Sequence, residues 1–241
     1  MIVLPAMPVE QTASWLGVLD LFERQPSGWT LIGGQLVHLY CAERGQFASR
    51  PTNDIDTVID VRADPRMLES ITTTLVGLGF EADGISADGA QHRWKRGAAS
   101  IDVLIPEGAG ERTGQRQGVT GSRTVPTAGG TQALQRSEKV AVSLSGREGH
   151  ILRPTLLGAL VVKAATLSNP SDPGKARHRL DFATLARLLT AGDIDRALLT
   201  SKDRSRLMAM ITAVRSDEAL QLEHPESVDA MLRLEMAIDR R

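Results

Sequence analysis

The chain has 241 residues, a formal net charge of -1, 41% hydrophobic and 24% charged residues, and 3% aromatics. That is enough apolar material for one large or two modest folded domains, but no overall field to attract nucleic acid and too few rings for rows of stacked bases. The single cysteine, Cys41, excludes an intramolecular disulfide and a cysteine-cluster zinc site.

The opening segment lacks a basic stretch and is broken by Pro5 and Pro8, so it does not read as a secretory leader. Residues 10–24 carry apolar residues at helical spacing, with Thr12 or Ser14 as candidate caps and Pro26 beyond the end. Trp29–Ile32 reads as a short buried strand stopped by Gly33-Gly34, and Gln35–Arg44 as a helix closed by Gly45. Ile55–Val61 is β-branched and strand-like, and Pro65–Leu78 is a helix ending at Gly79. Strands follow at Phe80–Ala82, Gln91–Lys95 and Ala99–Ile105, the last two forming a hairpin about Arg96-Gly97. Residues 106–150 are rich in Gly, Ser, Thr and Arg, with strand-like pieces at Lys139–Leu144 and His150–Leu152. They read either as a β extension or flap over a site, or as a surface insertion without function.

From Pro154 onward the pattern is helical: Thr155–Thr166, Ala176–Thr190, Ile194–Leu199, Lys202–Val214 and Ser227–Ile238. The longest apolar run, Leu156–Val162, ends at Lys163 and is far too short to span a membrane, so a soluble, cytoplasmic protein is expected. The fold class is α+β, a mixed sheet flanked by helices (residues 1–150) followed by a helical domain (151–241).

Chemistry concentrates around two aspartates. Asp54 and Asp56 stand at the head of a strand, twenty residues after Gly34. Side chains at i and i+2 of a strand share a face, and like charges that close call for a cation between them, usually a divalent metal. Asp102, a lone acid at the start of the apolar run Ile101–Ile105, is the candidate third carboxylate from a neighbouring strand; alone it would read equally well as a turn cap. Asp60 and Asp64 read as exposed turn residues. Gly33-Gly34 opens a helix and could bring backbone N–H groups to phosphate, although a plain turn is the commoner use of such a pair. Lys163 interrupts an apolar helix and either snorkels to solvent or faces a cleft as a point charge for phosphate. In the run Lys175 to Asp181, Lys175, His178 and Asp181 share a helix face, which is either a solvated face or a second-domain contribution to that cleft.

Together these residues resemble the nucleotidyltransferase superfamily, and within it the AbiEii-type toxins of type IV toxin–antitoxin systems, which include the mycobacterial MenT toxins. The resemblance rests on Ile32-Gly33-Gly34, on Arg50-Pro-Thr52-Asn-Asp54-Ile-Asp56, on Lys163, and on Lys175 to His178 followed by Asp181-Phe-Ala-Thr-Leu, over residues 29–190. It implies a minimal nucleotidyltransferase fold joined to a helical domain. Gly33 and Gly34 would seat a nucleoside triphosphate, with Arg50, Thr52, Lys163, Lys175 and His178 around it. Asp54, Asp56 and Asp102 would bind Mg²⁺ or Mn²⁺, and Lys163 and Asp181 would complete the catalytic set. The implied reaction transfers a nucleoside monophosphate from an NTP to an acceptor hydroxyl, with RNA, the 3′ end of tRNA, as acceptor and an antitoxin protein as partner. A small acceptor of aminoglycoside type, in an acidic pocket, and a nucleotide-binding protein without catalysis are the alternatives. The spacer between Gly34 and Asp54 is longer than usual for the superfamily, and His178-Arg179 stands where many relatives have Lys-Asp.

Overall fold

The structure, a computed structural model, describes residues 1–169, 172, 174–190, 192–195 and 198–239, with the side chain of Arg112 excepted. A two-residue strand β1 (Ile2–Val3) leads into helix α1 (Val9–Arg24), whose Trp15, Val18 and Leu19 are buried at i, i+3 and i+4. Thr12 and Ser14 lie inside α1 and do not cap it. Ser14 instead bonds back to the Glu10 carbonyl and accepts the Ser100 amide, tying the helix to a strand. Next come β2 (Trp29–Ile32), α2 (Gly33–Glu43), β3 (Ile55–Ile59), α3 (Met67–Gly77), β4 (Glu81–Ala82), β5 (Arg93–Arg96) and β6 (Ala99–Pro106). These follow the expected order; the chief difference is that α3 starts at Met67, after a turn in which Asp60 and Asp64 accept backbone amides.

The strands form a mixed sheet in the order β2-β3-β6-β5-β4, with β7 (Pro126–Thr127) beside the end of β6. Only β3 and β6 among the long strands run parallel, and their register sets Asp56 directly beside Asp102. Segment 106–150 is more ordered than a loop. It holds a short helix α4 (Glu111–Gly114), then β7, α5 (Gly130–Gln135), and the hairpin β8 (Ser137–Leu144) and β9 (Arg147–Pro154). The hairpin turns on Ser145-Gly146, with φ of 50° and 84°, as a two-residue turn of the primed type requires. Strands β1, β8 and β9 make a second sheet.

The helices that follow are α6 (Leu156–Ala165), α7 (Lys175–Arg187), α8 (Ser201–Arg215), α9 (Glu218–Glu223) and α10 (Glu226–Asp239). Thr155 caps α6 through the Gly158 amide, and Thr200 with Asp203 forms a reciprocal capping box on α8. The helix expected over Ile194–Leu199 lies partly outside the described residues. Residue 150 falls inside β9, and one apolar core runs on both sides of it: Trp15, Trp29, Trp94 and Tyr40 belong to the same cluster as Phe182 and Met210. Tyr40 also donates to the Pro154 carbonyl at 2.7 Å. A small satellite cluster of Ile32, Val58, Ala133 and Val162 packs α5 and α6 against β2 and β3. That contact sets Lys163, the neighbour of Val162, across from the aspartates.

Candidate active site

One cleft of about 390 Å³ collects most of the residues singled out in the sequence. Gly33, Gly34, Arg50, Thr52, Asp54, Asp56, Asp102, Lys163 and His178 all line it. Asp181 sits behind the wall, bonded to two lining residues. Lys175 opens α7 and is not part of the lining, whereas Arg177 is.

The three acids converge. One carboxylate oxygen from each of Asp54, Asp56 and Asp102 lies within 4.8 Å of the others. Asp54 precedes β3 and receives the Thr52 hydroxyl at 3.1 Å, and Asp56 and Asp102 stand side by side on parallel strands. Enclosure at the cleft floor, with the neighbouring Asp54 and Asp102 charges, pushes the Asp56 carboxyl up to about 7. An all-carboxylate donor set with one acid destabilised in its charged form is what a hard divalent cation relieves, so these residues fit such an ion.

Gly33 is required where it stands. Its φ is +76°, and a Cβ built there would lie 1.8 Å from Asp56 Oδ2. At Gly34 a Cβ would meet the Thr52 side chain at 2.8 Å and Arg50 Nη2 at 3.0 Å. The Gly-Gly pair therefore lets β3 and the 50–52 segment approach the head of α2.

The 50–52 segment is itself held from below by a buried polar chain. Trp15 Nε1 and Gln11 Nε2 donate to Gln35 Oε1, and Gln35 Nε2 donates to the Thr52 carbonyl at 2.7 Å. His38, kept neutral chiefly by burial, bonds the Arg50 carbonyl through Nε2 at 2.8 Å and meets Gln11 through Nδ1. Gln11, Gln35 and His38 carried no motif, and only their helical phase toward the core hinted at a role.

Lys163 does not snorkel. It is buried and bonds Asp181 Oδ2 at 2.7 Å, while Arg50 grips the same carboxylate with Nε and Nη2, both at 2.8 Å. Burial would raise the Asp181 carboxyl, but Lys163 and Arg50 outweigh it and hold it below the ordinary value. His178 Nε2 lies 3.0 Å from Asp172 Oδ2, and burial together with the Lys163 charge lowers its imidazole to about 4. It is therefore neutral at physiological pH, and its buried Nδ1 has no hydrogen-bond partner among the described residues.

Sequence reasoning missed Arg93. It lies opposite Asp102 on β5 and forks it, Nε to Oδ1 and Nη2 to Oδ2, both at 2.8 Å. The same Nη2 reaches Asp54 Oδ2 at 3.0 Å. The signal was present: counting outward from the hairpin turn pairs Arg96 with Ala99 and hence Arg93 with Asp102. Segment 106–150 also contributes, because Pro126, Thr127 and Ala128 line the cleft. The lining carries four aspartates (Asp54, Asp56, Asp102, Asp172) and four cations (Arg50, Arg93, Lys163, Arg177), so it is neither an acidic nor a basic pocket.

No family model and no curated protein sequence matches the chain. Among solved structures it is similar to an antigenic nucleotidyltransferase-like protein from Paracoccidioides brasiliensis, with TM-score 0.53 and 14% identity, covering 93% of this chain and 94% of that one. It also overlaps the antibiotic-resistance factor ANT(2'')-Ia at TM-score 0.46 and 13% identity, over 91% of this chain and 99% of the other, too distant a superposition to argue from. Among the described residues no helix is long and apolar enough to cross a membrane. What this chain shares with the Paracoccidioides protein is the fold, which is nucleotidyltransferase-like.

Proposed function

We propose that this chain is a divalent-metal-dependent nucleotidyltransferase that moves a nucleoside monophosphate from an NTP to an acceptor hydroxyl and releases pyrophosphate. The observation that carries the reading is the parallel register of β3 and β6. It brings Asp56 and Asp102 together with Asp54 in one cleft with the Gly33-Gly34 turn and Lys163. Asp54, Asp56 and Asp102 would hold Mg²⁺ or Mn²⁺. When bound, such an ion supplies charge neutralisation on the triphosphate and acidification of the acceptor hydroxyl.

The chain's own groups do the rest. The amides at the head of α2, exposed by the lack of side chains at Gly33 and Gly34, seat phosphate oxygens at a helix N-terminus. Lys163 from the facing wall and Arg50 from beside Gly34 add cationic contacts, and Thr52 orients Asp54. Asp181 acts through Lys163 and Arg50, holding both in place, and is a positioning residue. Asp102 is assigned the proton of the acceptor hydroxyl. His178, neutral and held on Asp172, is assigned a packing contact with the nucleotide at the cleft wall, and Lys175 is assigned an outer phosphate contact. The catalytic part is assigned to residues 1–150 and the helical part, which supplies Lys163, His178 and Asp181, to 151–241, the two being joined through β9 and one shared core.

For the acceptor we propose RNA, at the 3′ end of tRNA, with the chain acting in the cytoplasm as an AbiEii-like toxin restrained by an antitoxin. Support comes from the Arg50-x-Thr52-x-Asp54-Ile-Asp56 match and the balanced cleft, which lacks the acidic surplus a polycationic aminoglycoside calls for. The test is incubation with each α-labelled NTP, Mg²⁺, and either total RNA or a panel of aminoglycosides. Label is expected in RNA of tRNA size and is lost in Asp56→Asn. Label in an aminoglycoside overturns the acceptor assignment, label retained by Asp56→Asn overturns the metal assignment, and NTP binding without transfer to either overturns catalysis.

A further inference from the structure

The triad already contains a cation. Arg93 forks Asp102 and reaches Asp54, so its guanidinium spans the two outer carboxylates, and only Asp56 is left without a hydrogen bond from a neighbour among the described residues. The pairing is built in: Arg93 faces Asp102 in the β5–β6 ladder, two strands of the sheet that carries the site. Arg93 takes both Asp102 oxygens and Oδ2 of Asp54, so a metal ion held by all three acids has to share or displace it at Asp102.

We infer that Arg93 is a built-in competitor for the metal, which keeps the triad from taking up a divalent ion on its own and yields it when a triphosphate enters. The inference rests on the reading of Asp54, Asp56 and Asp102 as metal ligands. Its physical basis is charge accounting. With Arg93 in place one of the two outer negative charges is already balanced and both acids are hydrogen-bonded, so an incoming ion must break a bidentate, part-exposed pair before it gains those ligands. A bound triphosphate changes the balance, because pairs of its oxygens offer the guanidinium an alternative bidentate, anionic partner within the same cleft. Metal and nucleotide then bind with positive coupling, and coupling of this kind is reciprocal.

The experiment titrates Mn²⁺ into the full chain and follows the loss of the free-ion EPR signal, without nucleotide and with each of the four α,β-methylene nucleoside triphosphates. Arg93→Gln is expected to bind nucleotide-free Mn²⁺ about tenfold more tightly than the unsubstituted protein, the scale of one good charge-assisted pair. The tightening produced by nucleotide is expected to shrink by the same factor. Arg93→Lys, which keeps the charge but cannot fork two acids, falls between them and serves if Arg93→Gln does not fold. Arg177→Gln removes another cleft cation, one with no hydrogen bond or ion pair to the triad among the described residues, and it is expected to leave nucleotide-free Mn²⁺ affinity unchanged. Equal nucleotide-free affinity in Arg93→Gln and the unsubstituted protein overturns the inference and leaves the metal reading standing, as does equal tightening in Arg177→Gln, which would mark a general field. Absence of Mn²⁺ binding in every variant, with and without nucleotide, overturns the metal reading itself.

Discussion

Replacing Gly33 by alanine strikes the point where the turn and the acids meet. At φ +76° an L-residue costs about 1–2 kcal/mol of backbone strain. The new methyl would lie 1.8 Å from Asp56 Oδ2, 2.6 Å from its Cγ and 2.9 Å from its Cβ. Ordinary carbon contacts begin near 3.5 Å, so the carboxylate must retreat by roughly 1.5 Å. Because the Cβ is also too close, rotation of the side chain alone does not suffice, and β3 or the turn has to shift. Asp56 is in register with Asp102, so the shift breaks the convergence of the triad. A displacement of about 1 Å at a reacting centre costs on the order of 100-fold in rate, so nucleotide transfer should fall at least that far. Thermal unfolding should drop by about 4–8 °C, from roughly 2 kcal/mol in a chain of this size. Gly34→Ala is the control: its methyl meets only side-chain atoms of Thr52 and Arg50, with no positive φ. It should fold normally and lose less activity. Transfer by Gly33→Ala within threefold of the unsubstituted protein, or a larger loss in Gly34→Ala, would refute the reasoning.

Two further outcomes follow from the buried charges. Asp181→Asn leaves Lys163 and Arg50 without their shared counter-ion. Because Lys163 is only 3% exposed, stability should fall by about 3–5 kcal/mol in urea unfolding, with much of it recovered when Lys163→Met is added; a loss below about 1 kcal/mol would show that the pair is not buried in solution. His178 titrates near 4 in the fold and near 6.5 when unfolded, so the unfolded chain binds more protons between these values and stability falls as pH is lowered through them. From pH 7 to pH 4 the contribution is about 3 kcal/mol, and His178→Asn should flatten that part of the pH–stability curve. An unchanged slope would mean that the imidazole titrates normally.

The element order was legible because periodicity and punctuation are local. Alternation and β-branching mark Ile55–Ile59, helical spacing marks α1, and Gly33-Gly34 marks a turn by itself. Segment 106–150 was less legible: β7 and α5 are short, and their order comes from packing. Gly130, for example, fits only because its missing side chain allows contact with Pro106 and Val58. The buried supports of the 50–52 segment, Gln11, Gln35 and His38, are polar residues of a kind normally exposed, and only the fold gives them partners.

The sequence alone was enough to single out Asp54 and Asp56 as a close pair and to mark Asp102 and Lys163 as charges out of place in apolar runs, although Asp54 lies just before β3 and not on the strand. Whether those charges meet depends on long-range register, which no local pattern specifies. The tertiary structure decided that β3 and β6 run parallel with Asp56 beside Asp102, that Lys163 is buried on Asp181 instead of free, and that Arg93 lies between Asp54 and Asp102. A cation between close carboxylates was a requirement of the sequence; that the chain itself supplies one is a consequence of which strands the sheet sets side by side.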